Sequence, residues 1–453
     1  MGFLIRYYKK LYVVFLILTL TSPIFAQKLI VKDIAVFENV EIEDWEIFDV
    51  IKTRKIPWYY GALTKWTFGN DILFNEKILK NDILLIERFY RQRGFLDVKA
   101  SYNIFEDSTS CSINIYVNEG IRYIINTIHF TGDSVATINK INERLLLKEG
   151  EPFNPFIVAA DRQTINIETQ NLGYPYSTIE SDWDIIDSNL VDIKYIITLD
   201  KKGYFGKTSL EGFERSKKFI LTRELSMKKG RMYRYSDIVR SKEELYKTGL
   251  FEIVRIKAVY DSTNTKPDTL NFRVSVVEKA SKYIKMKPGF IFDPSFDMSA
   301  DLECGFENIN LYGTGRKLAL TVTTSYEFIR NWRNLSNRVD FDFVEPWGFS
   351  RRLPITTNIF YEINKEDQND KTQLYGLSLS ARYTPSKRLR HYASLSYTWV
   401  DAPNRIFVDE ENMEDKYYVE RKIGYIFEHD TRNDVINPSN GYNLSISNQF
   451  AGW

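Results

Sequence analysis

Leu79-Lys80-Asn81-Asp82-Ile83-Leu84-Leu85-Ile86-Glu87-Arg88-Phe89-Tyr90-Arg91-Gln92-Arg93-Gly94-Phe95 is the stretch on which the fold turns. Leu79, Ile83, Ile86 and Tyr90 recur at helical spacing and form one apolar stripe, so the segment reads as an amphipathic helix. Gly94 then ends it, because glycine enters the left-handed backbone conformation at little cost, and the aromatic after it can pack back on the last turn. The phrase returns as Leu172-Gly173-Tyr174 and as Thr248-Gly249-Leu250-Phe251, with the glycines 79 and 76 residues apart. Ordinary helix capping explains each phrase but not the shared period.

Two further markers keep the same order: Phe130-Thr131-Gly132 with Leu210-Glu211-Gly212, and Lys148-Glu149-Gly150 with Lys228-Lys229-Gly230. A fixed period of this size is the signature of repeated structural units. Strand-like runs complete each unit. One opens it (Leu29–Phe37, Tyr123–Phe130, Tyr204–Leu210). Two follow the glycine: Phe95–Ile104 and Ser110–Val117, Tyr176–Trp183 and Leu190–Leu199, Phe251–Tyr260 and Thr269–Val277. The order β-α-α-β-β is therefore expected three times, each an α+β layer with its own core.

From about Lys282 the period changes to two. Leu318, Leu320, Val322, Thr324, Tyr326 and Phe328 alternate with Ala319, Thr321, Thr323, Ser325 and Glu327. Tyr375, Leu377, Leu379, Ala381 and Tyr383 alternate with Gly376, Ser378, Ser380 and Arg382, and about nine such segments reach Trp453. Alternation in segments of about 10 residues fits a transmembrane β-barrel, with Trp332, Trp347, Tyr361 and Trp399 as interfacial aromatics. A soluble β-sandwich shares the period of two.

The 453 residues hold 61 Lys+Arg against 60 Asp+Glu, which removes the basic excess expected of a nucleic-acid binder. With 43% hydrophobic and 27% charged residues the chain is neither a helical membrane bundle nor disordered. The charged start with Arg6, Lys9 and Lys10, the apolar run Leu11–Leu20 and the small Ala26 read as a secretory signal over residues 1–26. Ile24 departs from the small-x-small rule, and the alternative is a buried helix. Past residue 26 no apolar run is long enough to cross a bilayer as a helix.

Catalytic and metal patterns fail. Lys201 stands where a phosphate-binding loop ending in Gly206-Lys207-Thr208 needs glycine, and Ser380 breaks a nucleophile-elbow pattern at Gly376–Ser380. His129, His391 and His429 lie in separate segments, and Cys111 and Cys304 are single strand residues. The expectation is a non-enzyme without cofactor or metal.

The run Thr53-Arg54…Phe74-Asn75…Glu87–Val98 resembles a POTRA domain, the unit that precedes the barrel in outer-membrane insertases of the BamA and TamA type. Asn308-Ile309-Asn310-Leu311-Tyr312-Gly313-Thr314-Gly315-Arg316, Glu345-Pro346-Trp347 and Asp430-Thr431-Arg432-Asn433-Asp434…Asn437-Pro438-Ser439-Asn440-Gly441-Tyr442 are similar to turns of that family's barrel. The resemblance implies a signal peptide (1–26), POTRA-like domains at 27–120, 121–202 and 203–281, and the N-terminal part of an outer-membrane barrel at 282–453. The family barrel has about sixteen strands and a late Arg-Gly-aromatic loop, which is not found here, so the chain reads as truncated at Trp453.

The implied role is assembly and insertion of other outer-membrane proteins, with the repeats in the periplasm. Partners would be unfolded client proteins, outer-membrane lipid, periplasmic chaperones and accessory assembly proteins. The alternatives are a TamA-like component for surface proteins, or a passive pore or adhesive barrel with docking modules. Structural candidates are Gly94, Phe95, Gly173, Tyr174, Gly249 and Phe251. Pro288, Gly289 and Phe290, in a first barrel strand expected at Tyr283–Phe292, are candidates for a weak seam.

Overall fold

The computed structural model describes residues 29–55, 74–108, 110–133, 138–260, 266–291, 298–327, 332–367, 370–402 and 417–452. The signal-like segment 1–26, and Phe292 and Phe328 of the expected strands, lie outside the described residues. Contacts divide the chain into one unit up to Lys201 and another from Lys202.

The first unit carries two of the repeats. In the first, β1 (Ile30–Phe37), α1 (Asp44–Val50), α2 (Glu76–Arg91), β2 (Lys99–Glu106) and β3 (Ser110–Asn118) follow in order. The second repeats this with β4 (Ile124–Gly132), α3 (Ile138–Arg144), α4 (Pro155–Asn171), β5 (Thr178–Asp187) and β6 (Leu190–Thr198). The second unit opens with the third copy: β7 (Tyr204–Glu211), α5 (Lys218–Glu224), α6 (Tyr235–Lys247), β8 (Phe251–Val259) and β9 (Thr269–Glu278).

Each small sheet has the order first-third-second, with the last strand of the repeat in the middle. That strand pairs parallel with the first and antiparallel with the second. A parallel pair needs a crossover, and the two helices supply it. The central strands show why the sequence selects this arrangement. Cys111, Ile113, Ile115 and Val117 alternate inward, as do Val191, Ile193, Tyr195 and Ile197, and Leu270, Phe272, Val274 and Val276; all twelve are buried. In the first repeat they meet Leu79, Ile83, Ile86 and Tyr90, the stripe read from the sequence. Each such side chain contributes about 1.5–3 kcal/mol on burial.

The recurring glycines have separate jobs. At the end of the first strand a Cβ on Gly132 or Gly212 would stand 2.2 Å from the Ile197 carbonyl oxygen or 2.1 Å from that of Val276, so the parallel pair admits no side chain there. After the second helix Gly94, Gly173 and Gly249 have φ of 97°, 102° and 74°. The N–H of Phe95 donates to the Tyr90 carbonyl (3.1 Å) and that of Gly94 to Arg91 (3.3 Å); Tyr174 and Gly173 repeat this with Thr169 and Gln170 (3.3 and 3.2 Å). These are the paired bonds of a Schellman cap. The third copy departs from it. Gly249 bonds Tyr246, but the next N–H, of Leu250, donates to the Thr248 hydroxyl, which in turn donates to the Leu245 carbonyl.

A nine-stranded antiparallel sheet follows, with strands in sequence order: β10 (Lys282–Ile291), β11 (Ser299–Leu311), β12 (Arg316–Glu327), β13 (Arg333–Glu345), β14 (Ile355–Asp367), β15 (Asp370–Ser386), β16 (Leu389–Asp401), β17 (Tyr417–Asp430) and β18 (Asn443–Ala451). Register carries the period of two across the sheet. Phe306, Leu320, Phe341, Ile359 and Leu377 stand side by side on one face and are all exposed. Asp342, Asn358, Ser378 and Ser396 form the neighbouring row on the other face. There Asn358 donates to Asp342 (2.9 Å), and Arg338 binds Asp340 and Glu362. A continuous exposed apolar band opposite a hydrogen-bonded polar face is what a lipid-facing sheet requires. Among the described residues no helix is long and apolar enough to cross a membrane.

Candidate functional site: open strand edges and the repeat–sheet junction

Which edges of the small sheets can accept another strand depends on the segment before each second helix. In the second repeat Ile125 donates to the Glu151 carbonyl (2.9 Å) and Gly150 donates back to Ile125 (2.8 Å). In the third, Phe205 and Arg231, and Gly230 and Phe205, make the same pair at 2.9 and 2.8 Å. This explains the Lys-x-Gly marker: the turn folds the chain over the outer edge of the first strand. In the first repeat Phe74 donates to the Leu29 carbonyl (2.8 Å). The start of the first strand is thus paired on its outer side in the second and third repeats, and β2, β5 and β8 stand at the other end of each sheet, with no further ladder partner among the described residues. Phe105 on β2, and Ile185 and Ile186 on β5, leave apolar surface at these edges.

The nine-stranded sheet has its own margin at β10. The register from Lys282 opposite Asn308 to Ile291 opposite Ser299 runs without a break through Pro288 and Gly289, so the β10–β11 ladder is not interrupted there. The reason lies in the alternation of antiparallel pairing. Ile309 donates to the Ser281 carbonyl at 2.8 Å, which makes the odd-numbered residues of β10 the ones bonded to β11. Pro288 is even-numbered and points its nitrogen to the outer side. It removes a donor from the open edge and none from the existing ladder. Gly289 and Phe290 continue the strand, Phe290 strongly exposed.

The junction of the third repeat with the large sheet is built from two turns quoted in the sequence analysis. In the turn between β11 and β12, the Gly313 carbonyl accepts from the Lys217 N–H (2.9 Å), and Asn310 donates to the Ser216 hydroxyl (3.0 Å) and accepts from the Gly315 N–H (2.9 Å). In the turn after β13, the Trp347 indole N–H donates to Glu224 (2.9 Å), and Arg352 donates to the other Glu224 oxygen (2.6 Å) and pairs with Glu244. Arg316 and Glu345 tie the two turns together at 2.5 Å. Trp347, one of the aromatics expected at the interface, is half-buried and gives its N–H to a buried carboxylate of the third repeat.

Above this junction Glu278, the last residue of β9, accepts the N–H groups of Glu214 (3.1 Å), Arg215 (2.9 Å) and Ser216 (2.7 Å). Burial pushes its carboxyl up, but these donors outweigh burial and bring it down to about 2.

Of the residues singled out in the sequence, Phe95 and Phe251 are buried and Tyr174 is half-buried against the second core. They lie in separate repeats and do not converge on one site. Sequence reasoning missed Asp82 and Asp161, fully buried on the second helices, which accept the N–H groups of Lys52 and Thr53 and of Leu146 and Leu147. Their common position, twelve residues before Gly94 and Gly173, was the available signal. It also missed Glu224, whose partner Arg352 lies 128 residues away. Among the described residues no group of three or more His, Cys, Asp or Glu could hold a metal ion.

Residues 310–453 match the Omp85 superfamily domain, and residues 123–199 and 203–279 match the POTRA model, described as surface antigen variable number repeat. The outer membrane protein assembly factor BamA of Neisseria meningitidis serogroup B is 26% identical over 294 residues, covering 63% of this chain and 36% of that protein. The factor of the same name from Neorickettsia risticii is 21% identical over 396 residues, 85% of this chain and 51% of that protein. The chain thus spans about a third to a half of the length of these curated relatives. The crystal structure of BamA from Haemophilus ducreyi lacking POTRA domains 1–3 shares the fold, with a TM-score of 0.53 at 19% identity over 73% of this chain and 64% of that one.

Proposed function

Because this chain belongs to the family that joins POTRA repeats to an Omp85 barrel, an outer-membrane family with its repeats in the periplasm, we propose that it serves in outer-membrane protein assembly. In this reading, unfolded client proteins add a strand to the open edges β2, β5 and β8, and are passed to the margin at β10. The work is hydrogen bonding and burial, with no bond made or broken. Accessory proteins and chaperones would supply clients to the repeats.

The observation that carries the reading is the pairing pattern. In the second and third repeats the start of the first strand is paired on its outer side, and in all three sheets β2, β5 and β8 have no further ladder partner among the described residues, although an uncovered edge is a liability that proteins otherwise blunt. At β10, Pro288 leaves a missing donor on the outer side. Any strand closing there forms a ladder with one bond absent, worth about 0.5–1.5 kcal/mol, and such a ladder is easier to exchange for a client strand.

Depletion of the protein in its own host, with rescue by variants, tests this. Loss of the protein should lower the levels of other barrel proteins in the outer membrane. Photo-crosslinkers at Met286 on β10 and at Ser181 on β5 should capture nascent barrel clients. Normal barrel levels after depletion, together with no captured client, would reject the reading in favour of a passive barrel.

A further inference from the structure

A cleft of about 490 Å³ opens at the junction, between α5 of the third repeat and the turns that follow β11 and β13. Its wall carries Arg223 and Arg316, the carboxylate of Glu345, the rings of Phe219 and Trp347, and Ser350. We propose that this cleft holds the headgroup of a zwitterionic phospholipid bearing a primary ammonium, from the leaflet on the repeat side of the membrane.

Position argues for lipid. The two turns end strands whose apolar faces form the exposed band, so the cleft sits where that band stops and the polar repeat begins. Beside Ser350 stands Phe349, 85% exposed and held at φ 52°, a left-handed conformation that costs a bulky residue energy. Leaving such a ring in the open is unfavourable in water and favourable against acyl chains at an interface.

Charge selects the headgroup. Arg223 pairs with Glu224 at 3.1 Å, and Arg316 with Glu345 at 2.5 Å, so the cations of the wall are nearly balanced. A purely anionic ligand would meet carboxylates as well as guanidinium groups. A zwitterion meets both with the right sign: its phosphate takes donors from Arg316, Arg223 and the Ser350 hydroxyl, and its ammonium donates to Glu345. The Arg223 guanidinium lies 5.3 Å from the Phe219 ring and 4.9 Å from the Trp347 ring, which holds it in place at the wall. A quaternary ammonium has no N–H to give Glu345, so a choline headgroup fits less well.

The inference concerns lipid and stands whether or not the chain handles client proteins. Its test is calorimetric titration of the full chain, in a neutral maltoside detergent, with the dihexanoyl ethanolamine, choline and glycerol phospholipids. Ethanolamine lipid should bind about tenfold tighter than either of the others, one charge-assisted hydrogen bond's worth of discrimination. Arg316→Gln should weaken it about tenfold, and Glu345→Gln should erase the preference over choline. Arg390→Gln, at an exposed pair with Glu428 elsewhere in the sheet, should change nothing. Equal binding of the three lipids, or a preference that survives Glu345→Gln, would overturn the proposal. Should either cleft variant fail to fold, the ranking of headgroups by the unaltered chain decides.

Discussion

Arg352, in the turn that precedes β14, donates to the Glu224 carboxylate at the end of α5 at 2.6 Å, so a turn of the large sheet is pinned to a helix of the third repeat. The Glu224 side chain is 4% exposed and also receives Trp347 and Arg223. Removing Arg352 takes one charged donor from that buried carboxylate and at the same time releases Glu244. Arg352→Ala should therefore cost about 1–3 kcal/mol. Glu224→Ala should cost more, because it strands three donors at once. Thermal unfolding of the detergent-solubilised chain measures both, and limited proteolysis around Lys279 should accelerate first in Glu224→Ala.

The helix-closing glycines should differ in sensitivity. A Cβ on Gly94 would lie 2.7 Å from the Tyr123 carbonyl oxygen, whereas one on Gly249 would meet nothing within 4 Å. Both positions have positive φ, so either substitution pays the left-handed penalty of about 1–2 kcal/mol. Only at Gly94 does the added Cβ collide with backbone, so Gly94→Val should lose the most and Gly94→Ala, which brings the same Cβ without the branch, somewhat less. Urea midpoints of the single variants give the order, and equal losses at Gly94 and Gly249 would contradict it.

Glu278 sets a pH window. Its folded-state value of about 2 lies below the ordinary 4.5, so the unfolded chain binds the proton more readily. The stabilisation is complete above about pH 4.5 and is lost as the pH falls through 2, and it amounts to roughly 3 kcal/mol at neutral pH. Glu278→Gln should be less stable at pH 7 and flatter between pH 5 and 2. Equilibrium unfolding followed across that range tests it, and parallel pH curves for both proteins would count against this role for Glu278.

Asp161 receives the Leu146 and Leu147 N–H groups at 2.8 and 3.0 Å in the interior of the second repeat. Asp161→Ala strands two buried donors and should cost about 2–4 kcal/mol, and Asp161→Asn about half as much, since one amide oxygen still accepts. Hydrogen exchange at the Leu146 and Leu147 amides should quicken before the rest of the repeat is affected.

Legibility in the sequence followed the physics of each contact. Alternation along β12 and β15, and the stripe Leu79, Ile83, Ile86 and Tyr90, show which face is apolar, because a period depends only on local geometry. The recurring glycines were visible because backbone conformation restricts residue type at a single position. Partners across the fold leave no such trace. No sequence pattern links Glu224 to Arg352, 128 residues on, and nothing in the sequence marks Trp347 as the donor to Glu224. Pro288 was legible as a strand breaker, but which edge it weakens depends on the parity of the β10–β11 pairing.

The central place of β3, β6 and β9 has a consequence for the order in which the molecule can form. In each repeat the strand that joins the other two is the last in the chain and so the last to be synthesised. Ile30 must wait for Ser110 and Ile124 for Leu190, and the two earlier strands are not neighbours of each other. No partial sheet can exist before that strand arrives. The sheet of each repeat therefore needs the whole repeat before it can close, and the closing contact spans a long loop whose entropy opposes it. A chain that stops short of β3, β6 or β9 leaves the two earlier strands of that repeat without their common partner, whereas one that extends past it holds the full three-stranded sheet.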